Sequence, residues 1–193
     1  MKKNAIITGI ILAGGKSTRM GHDKALLLYK NKPFIAHVID ALKPLVETIL
    51  IVGDNPHYDK FGYNRITDII KDAGPLSGIV SGLQASTTHY NLVVTCDVPL
   101  LTTEVLTLLT NAISNKDAII QLKTQSYEMP LLAIYPKSCL PVLEKSLSSG
   151  NRTIKIALKN CTVKNVIVDS SLEKFVTNIN TLKQFNKLNE STR

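Results

Sequence analysis

The segment ILAGGKSTRMGHDK (Ile11–Lys24) gathers small residues and cations directly after a run of isoleucines. Gly14, Gly15 and Ser17 leave the backbone bare enough for its amides to approach an anion and form a nest around it. Arg19 can fork onto phosphate oxygens, and Lys24 supplies a movable point charge. Two cations on one glycine-rich cradle suit a triphosphate; taken singly, the same residues suit a solvated surface loop. A P-loop does not fit. Its first glycine would stand where the chain has Ile10, and TRMGHDK lacks the apolar stripe of the helix that should follow. Gly14, Gly15 and Gly21 also miss the dinucleotide-binding spacing. The cradle is of another kind, a long glycine-rich loop carrying Arg19 and Lys24.

Further along, Asp97 closes the apolar run NLVVTC. A carboxylate there is costly unless it is paired or bound to metal. Magnesium takes hard oxygen ligands and completes its shell with water and substrate phosphates; a turn aspartate ahead of Pro99 is the alternative. Gly74-Pro75 suits a turn and helix start. Gly78 and Gly82 fall on one helix face, where close packing on a sheet and the approach of a ligand explain them equally. Asp68 reads either as a solvated strand end or as an acceptor for N–H donors. Cys96 reads as a small buried residue.

These residues need a scaffold, and the rest of the chain describes one. Its 193 residues suffice for one α/β domain with a sizeable core, residues 1–193. Apolar residues make up 44%, within the globular range. Extended runs at ITGIILA, TILIVG, NRITDI, NLVVTCD, DAIIQL, MPLLAIYP and NVIVD alternate with helical patterns from Pro33 to about Leu45, over PLSGIVSGLQAS, over TTEVLTLLTNAIS, from about Ser138 to Ser148, and over TLKQFNKLN. That alternation predicts a Rossmann-like, three-layer α/β domain: a mostly parallel sheet with helices on both faces and right-handed crossovers. Ligands in such sheets sit at the carboxyl ends of the strands. Both the Gly14–Lys24 loop and Asp97 follow strands, so they are expected to share one crevice.

The net charge of +8 fits anionic partners, but aromatics are only 5% and do not interleave with a basic block, so no nucleic-acid platform is expected. No stretch reaches the ~20 apolar residues of a membrane span. The N-terminal MKKNAIITGI resembles a secretory signal only superficially, since Thr8 and Gly9 break it and a buried first strand explains it. Cys96, Cys139 and Cys161 share no metal spacing and read as reduced thiols, which points to a cytoplasmic chain.

LAGGKSTRMGHDKALL resembles the signature of the molybdenum cofactor guanylyltransferases: Leu-Ala-Gly-Gly, then Ser-x-Arg-Met-Gly, then Asp-Lys. GPLSGI (Gly74–Ile79), CDVPLL (Cys96–Leu101) and FVTNINT (Phe175–Thr181) resemble that family's later motifs in order and spacing. The resemblance covers nearly the whole chain. It implies GMP transfer from GTP to the terminal phosphate of (molybdenum-)molybdopterin with release of pyrophosphate, a Mg2+ cofactor, and an N-terminal nucleotide-binding half followed by an acceptor-binding half. Leu12, Ala13, Gly14 and Gly15 match the stretch that contacts the nucleotide, Lys24 its phosphates, Asp68 a further nucleotide contact, Gly74 and Gly78 glycines near the base, and Asp97 the metal ligand. Arg19 and Lys24 are expected to stabilise the departing pyrophosphate. Asn178 and Asn180 match the closing motif on the pterin side, and Arg152 is a candidate acceptor contact. Family members often carry Asn where this chain has Gly53; Asn55 is the nearest replacement. A monomer is expected, with cofactor-delivery or acceptor proteins as possible partners. A sister enzyme using CTP, a sugar-phosphate nucleotidyltransferase and a non-catalytic nucleotide-sensing adaptor share enough of the loop to stand as alternatives.

Overall fold

The computed structural model describes residues 5–14, 23–70, 74–114 and 117–190. In chain order the elements are β1 (Ile7–Leu12), β2 (Leu28–Tyr29), β3 (Lys32–Pro33), α1 (Phe34–Leu42), β4 (Thr48–Val52), β5 (Asn64–Ile66), α2 (Pro75–Ala85), β6 (Tyr90–Thr95), α3 (Thr103–Asn111), β7 (Ile119–Lys123), β8 (Glu128–Pro136), α4 (Leu140–Ser148), α5 (Ile154–Leu158), β9 (Val163–Ile167) and α6 (Leu182–Glu190). Seven strands form one sheet in the order β5-β4-β1-β6-β8-β7-β9. All pairings are parallel except the two made by β8, which runs against both β6 and β7.

Every residue of β1 is buried, as its isoleucines predict. Successive residues point to opposite faces. Ile11, Ile51 and Val94 pack on one face with Ile35 and Val38 of α1 and Leu106 of α3. Ile10, Leu12 and Val93 pack on the other with Leu76 and Ile79 of α2, Leu143 of α4 and Ala157 of α5. The result is the expected three-layer α/β domain.

Sequence punctuation sets the helix ends. Pro75 occupies the first turn of α2, Thr102 Oγ1 accepts from Val105 N at 3.4 Å to cap α3, and Gly150 lies at φ 82 beyond α4. The small hairpin β2–β3 was not expected. Its turn is Lys30-Asn31, both at positive φ (49 and 59), where Asn is the tolerated type. β9 begins two residues before NVIVD, and α5 is an added single turn and a half. Among the described residues, no helix is long and apolar enough to cross a membrane.

Candidate active site

Six strands end on one edge of the sheet, and reversed β8 begins there. Backbone bonds staple the strand ends together: Ala13 N donates to Val52 O at 2.8 Å, Gly53 N to Ile66 O at 2.9 Å and Cys96 N to Leu12 O at 3.1 Å. A cleft of about 580 Å³ opens on this edge. Its lining includes Leu12, Ala13, Gly14, Asp68, Gly74 and Gly78, together with Asp23, Val52, Asp54, Asn55, Tyr58, Pro75, Thr95 and Leu131. Six of the nine residues expected to touch nucleotide thus share one wall system; Lys24 and Asp97 are not among its lining residues. Gly15 and Arg19, also expected there, lie outside the described residues, as does Lys16.

The floor of the cleft is made by absent side chains. A methyl group on Gly78 would meet Leu12 Cδ2 at 3.1 Å and Asp68 Oδ1 at 3.4 Å, whereas one on Gly82 would meet Ile10 Cγ2 at 2.5 Å. Gly82 is therefore a packing glycine on the sheet, while Gly78 brings α2 against Asp68 at the cleft wall. Gly74 takes φ 76 with ψ −173, a region that side chains avoid, and it starts α2 at that wall. The backbone oxygen of Arg152 lies 3.7 Å from the methyl position of Gly74, so Arg152 sits beside this end of the cleft, far from the closing motif in sequence but on the same edge.

Asp68 is positioned by α2. Buried Ser81 and Ser77 accept hydrogen bonds from Ile69 N (3.0 Å) and Ile70 N (3.2 Å), tying the segment after Asp68 to the helix. Its Oδ1 is buried with no hydrogen-bond partner among the described residues. Burial, and then the nearby charge of Asp54, raise its carboxyl to about 6.

Lys24 is placed by its neighbour. Asp23 Oδ1 accepts from Ala25 N at 3.0 Å, capping a short 3-10 turn at Lys24–Leu26. Asp23 Oδ2 accepts from Asn55 Nδ2 at 2.5 Å and sits 2.7 Å from Tyr58 Oη, whose proton it shares with Ala13 O, also at 2.7 Å. Burial, reinforced by Asp23, pushes the Tyr58 phenol well above its usual range. The network ties the Lys24 turn to the ends of β1 and β4. Sequence reasoning passed over Asp23 and Tyr58; the Asp-Lys pair of the motif was the available signal.

From that turn, Lys24 Nζ donates to Asn180 Oδ1 at 2.5 Å and stands 3.9 Å from Asp97 Oδ2. Asp97 Oδ1 accepts from Thr95 Oγ1 at 2.9 Å. Burial raises the Asp97 carboxyl, while the Thr95 hydrogen bond and the Lys24 charge pull it back. Lys24, Asp97 and Asn180 thus meet although they come from opposite ends of the chain. Asn178, half-buried, lies two residues before Asn180 in the same segment. The described residues contain no group of three or more His, Cys, Asp or Glu side chains able to hold an ion unaided. One carboxylate, bonded by the cleft residue Thr95 and close to Lys24, is of the kind magnesium takes, one or two carboxylates with phosphates and water completing the shell.

The model of the MobA-like NTP transferase domain matches residues 9–162. The chain belongs to that family. It is 35% identical over 183 residues to a probable molybdenum cofactor guanylyltransferase of Flavobacterium johnsoniae, covering 95% of this chain and 96% of the relative. It is 36% identical over 186 residues to a molybdenum cofactor guanylyltransferase of Vibrio parahaemolyticus, covering 93% and 94%. Among solved structures, molybdopterin-guanine dinucleotide biosynthesis protein A from Archaeoglobus fulgidus superposes with a TM-score of 0.80 at 26% identity, over 96% of this chain and 98% of that one. The matched region carries the cleft, Lys24 and Asp97; the segment with Asn178 and Asn180 lies beyond residue 162 but within the span of the full-length relatives.

Proposed function

We propose that this chain transfers GMP from GTP to the terminal phosphate of molybdopterin and releases pyrophosphate. The observation that carries the reading is the meeting of Lys24, Asp97 and Asn180 next to a cleft whose wall holds an unpartnered carboxylate oxygen on Asp68. The names of the full-length relatives support the same reaction and acceptor.

In this reading the guanine lies against α2, where its N–H donors meet Asp68 and the bare backbone of Gly74 and Gly78 allows close approach. The triphosphate follows the end of β1 towards Lys24. A terminal oxygen of the pterin phosphate attacks the α-phosphorus in line, and the bond to the β-phosphate oxygen breaks. The protein's contribution is alignment and charge stabilisation rather than covalent chemistry. Lys24, with Arg19 from the same loop, stabilises the departing pyrophosphate. Asp97 would hold the magnesium ion, which when bound neutralises charge on the reacting phosphates. Asn178 and Asn180 serve the acceptor side.

Two measurements test this. Thermal unfolding with each of the four nucleoside triphosphates and magnesium should show the largest stabilisation with GTP, about 2.7 kcal/mol at 100 times its dissociation constant. Incubation with GTP, magnesium and molybdopterin should then release pyrophosphate. A larger response to CTP replaces guanylyl by cytidylyl transfer, and GTP binding without pyrophosphate release leaves a nucleotide-sensing adaptor.

A further inference from the structure

The segment between β9 and α6 is tied down at more points than a chain end requires. Ile179 N donates to Asp97 O at 2.8 Å, and the Ile179 side chain is buried with Tyr29, Phe34 and Leu188. Thr181 and Gln184 then cap α6 reciprocally. Gln184 N donates to Thr181 Oγ1 at 3.2 Å, and Gln184 Oε1 accepts from Thr181 N at 3.0 Å. This is the arrangement of a capping box. Here the carboxamide oxygen also reaches outside the helix and accepts from Asn180 N at 2.7 Å, the shortest of its bonds. Asn180 is the residue whose Oδ1 holds Lys24. The next residue of α6, Phe185, packs on Phe34 with ring centroids 5.9 Å apart, and Phe34 N donates to Leu27 O at the end of the Lys24 turn. The start of α6 therefore reaches the Lys24 turn by a polar route and an aromatic one.

We infer that Gln184 is a positioning residue for Lys24. It fixes the amide of Asn180, so that Asn180 holds the Lys24 ammonium beside Asp97 before nucleotide arrives. A free lysine side chain gives up rotamer freedom when it is immobilised. Holding it in place beforehand moves that cost from the reaction to folding. Gln184 touches no reacting group itself, and a helix cap alone would not need the bond to Asn180 N. The catalytic consequence rests on Lys24 being the phosphate ligand; the positional one does not.

The test joins a double-mutant cycle to a chemical probe. Pyrophosphate release is measured for Gln184→Ala, Gln184→Glu, Lys24→Ala and the Gln184→Ala/Lys24→Ala double variant, and the acylation rate of the Lys24 amine by an N-hydroxysuccinimide ester is followed by mass spectrometry in nucleotide-free protein. Gln184→Ala should lower kcat by roughly three- to tenfold, a difference of up to about 1.4 kcal/mol, with little change in KM for GTP. Gln184→Glu keeps the acceptor oxygen and should restore kcat. In the Lys24→Ala background, Gln184→Ala should cost less than about twofold, because coupled residues are not additive. Lys24 should acylate several-fold faster in Gln184→Ala and at the parent rate in Gln184→Glu. An undiminished effect of Gln184→Ala in the Lys24→Ala background, or unchanged acylation of Lys24, overturns the inference. If Lys24→Ala turns over like the parent, the phosphate role of Lys24 falls instead, while the acylation rates still decide whether Gln184 holds it.

Discussion

The ring of Tyr58 occupies the space that a side chain at position 53 would need: Cε2 of Tyr58 stands 2.8 Å from where a methyl group on Gly53 would sit. The same tyrosine bonds Ala13 O and Asp23, so the ring cannot move aside without releasing the Lys24 turn. Gly53, where the resemblance implies asparagine in many members, thus faces a ring that fills the space. Gly53→Asn should overpack this corner and destabilise the fold by about 1–3 kcal/mol, with weaker nucleotide binding. Thermal unfolding of Gly53→Asn alone and combined with Tyr58→Ala checks it. If the single variant is as stable as the parent, Tyr58 is not the obstacle.

A pH dependence follows from Asp68. Its folded carboxyl is raised to about 6 from an ordinary value near 3.8, mainly by burial. A raised carboxyl contributes stability that is fully present below about 3.8 and is lost as pH climbs through about 6. Nucleotide-free Asp68→Asn should therefore lose less stability between pH 4 and 7 than the parent. Under the proposed contact of Asp68 with the base, recognition runs the other way, because the ionised form accepts from both donors of guanine. GTP affinity should fall as pH drops below about 6 in the parent and be weak and flat in Asp68→Asn. Titration calorimetry across that range decides it; a parent profile without this fall removes Asp68 from the base site.

For Asp97→Asn, the shape of the side chain is kept and its charge is lost. Turnover should drop by 10²-fold or more, the scale seen when a charge-stabilising element is removed, with the unfolding transition retained. Near-parent activity in a folded variant would return Asp97 to the role of a turn residue bonded by Thr95.

Two lysines of the first loop are expected to behave oppositely. Lys24 already contacts Asn180 and approaches Asp97. Lys24→Ala should lower turnover by well over tenfold, whereas Lys16→Ala should change it by less than tenfold, under about 1.4 kcal/mol. Side-by-side pyrophosphate release from the two variants is the measurement. The reverse order of sensitivity would restore a P-loop-like role for Lys16.

Much of this scaffold was legible because burial on both faces of a parallel sheet writes long apolar runs, as in ITGIIL and NLVVT, and amphipathic helices write a period, as in α1 and α3. The two-residue strands β2 and β3 carry no period at all, and the single turn and a half of α5 is too short to show one. Within the site, Gly74, Gly78 and Asp68 could be named from motif and residue type. The convergence of Lys24 with Asn180 could not, since it depends on how a segment after the last strand folds back over the sheet edge. Tyr58 was invisible for a similar reason: its partners Ala13 and Asp23 belong to another loop, and NPHYDKF carries no pattern that points to them.

The reversal of β8 divides the molecule by direction of travel. Four adjacent parallel strands, β5, β4, β1 and β6, reach the cleft edge only at their ends, and each connection between them carries core. The turn from β7 into β8 instead lies on that edge as a tight hairpin closed by Thr124 N to Tyr127 O, with Gln125 and Ser126 exposed at its tip. Lengthening such a tip leaves strand pairing intact. The fold can therefore change length at this hairpin without disturbing the four parallel strands whose connections carry the core.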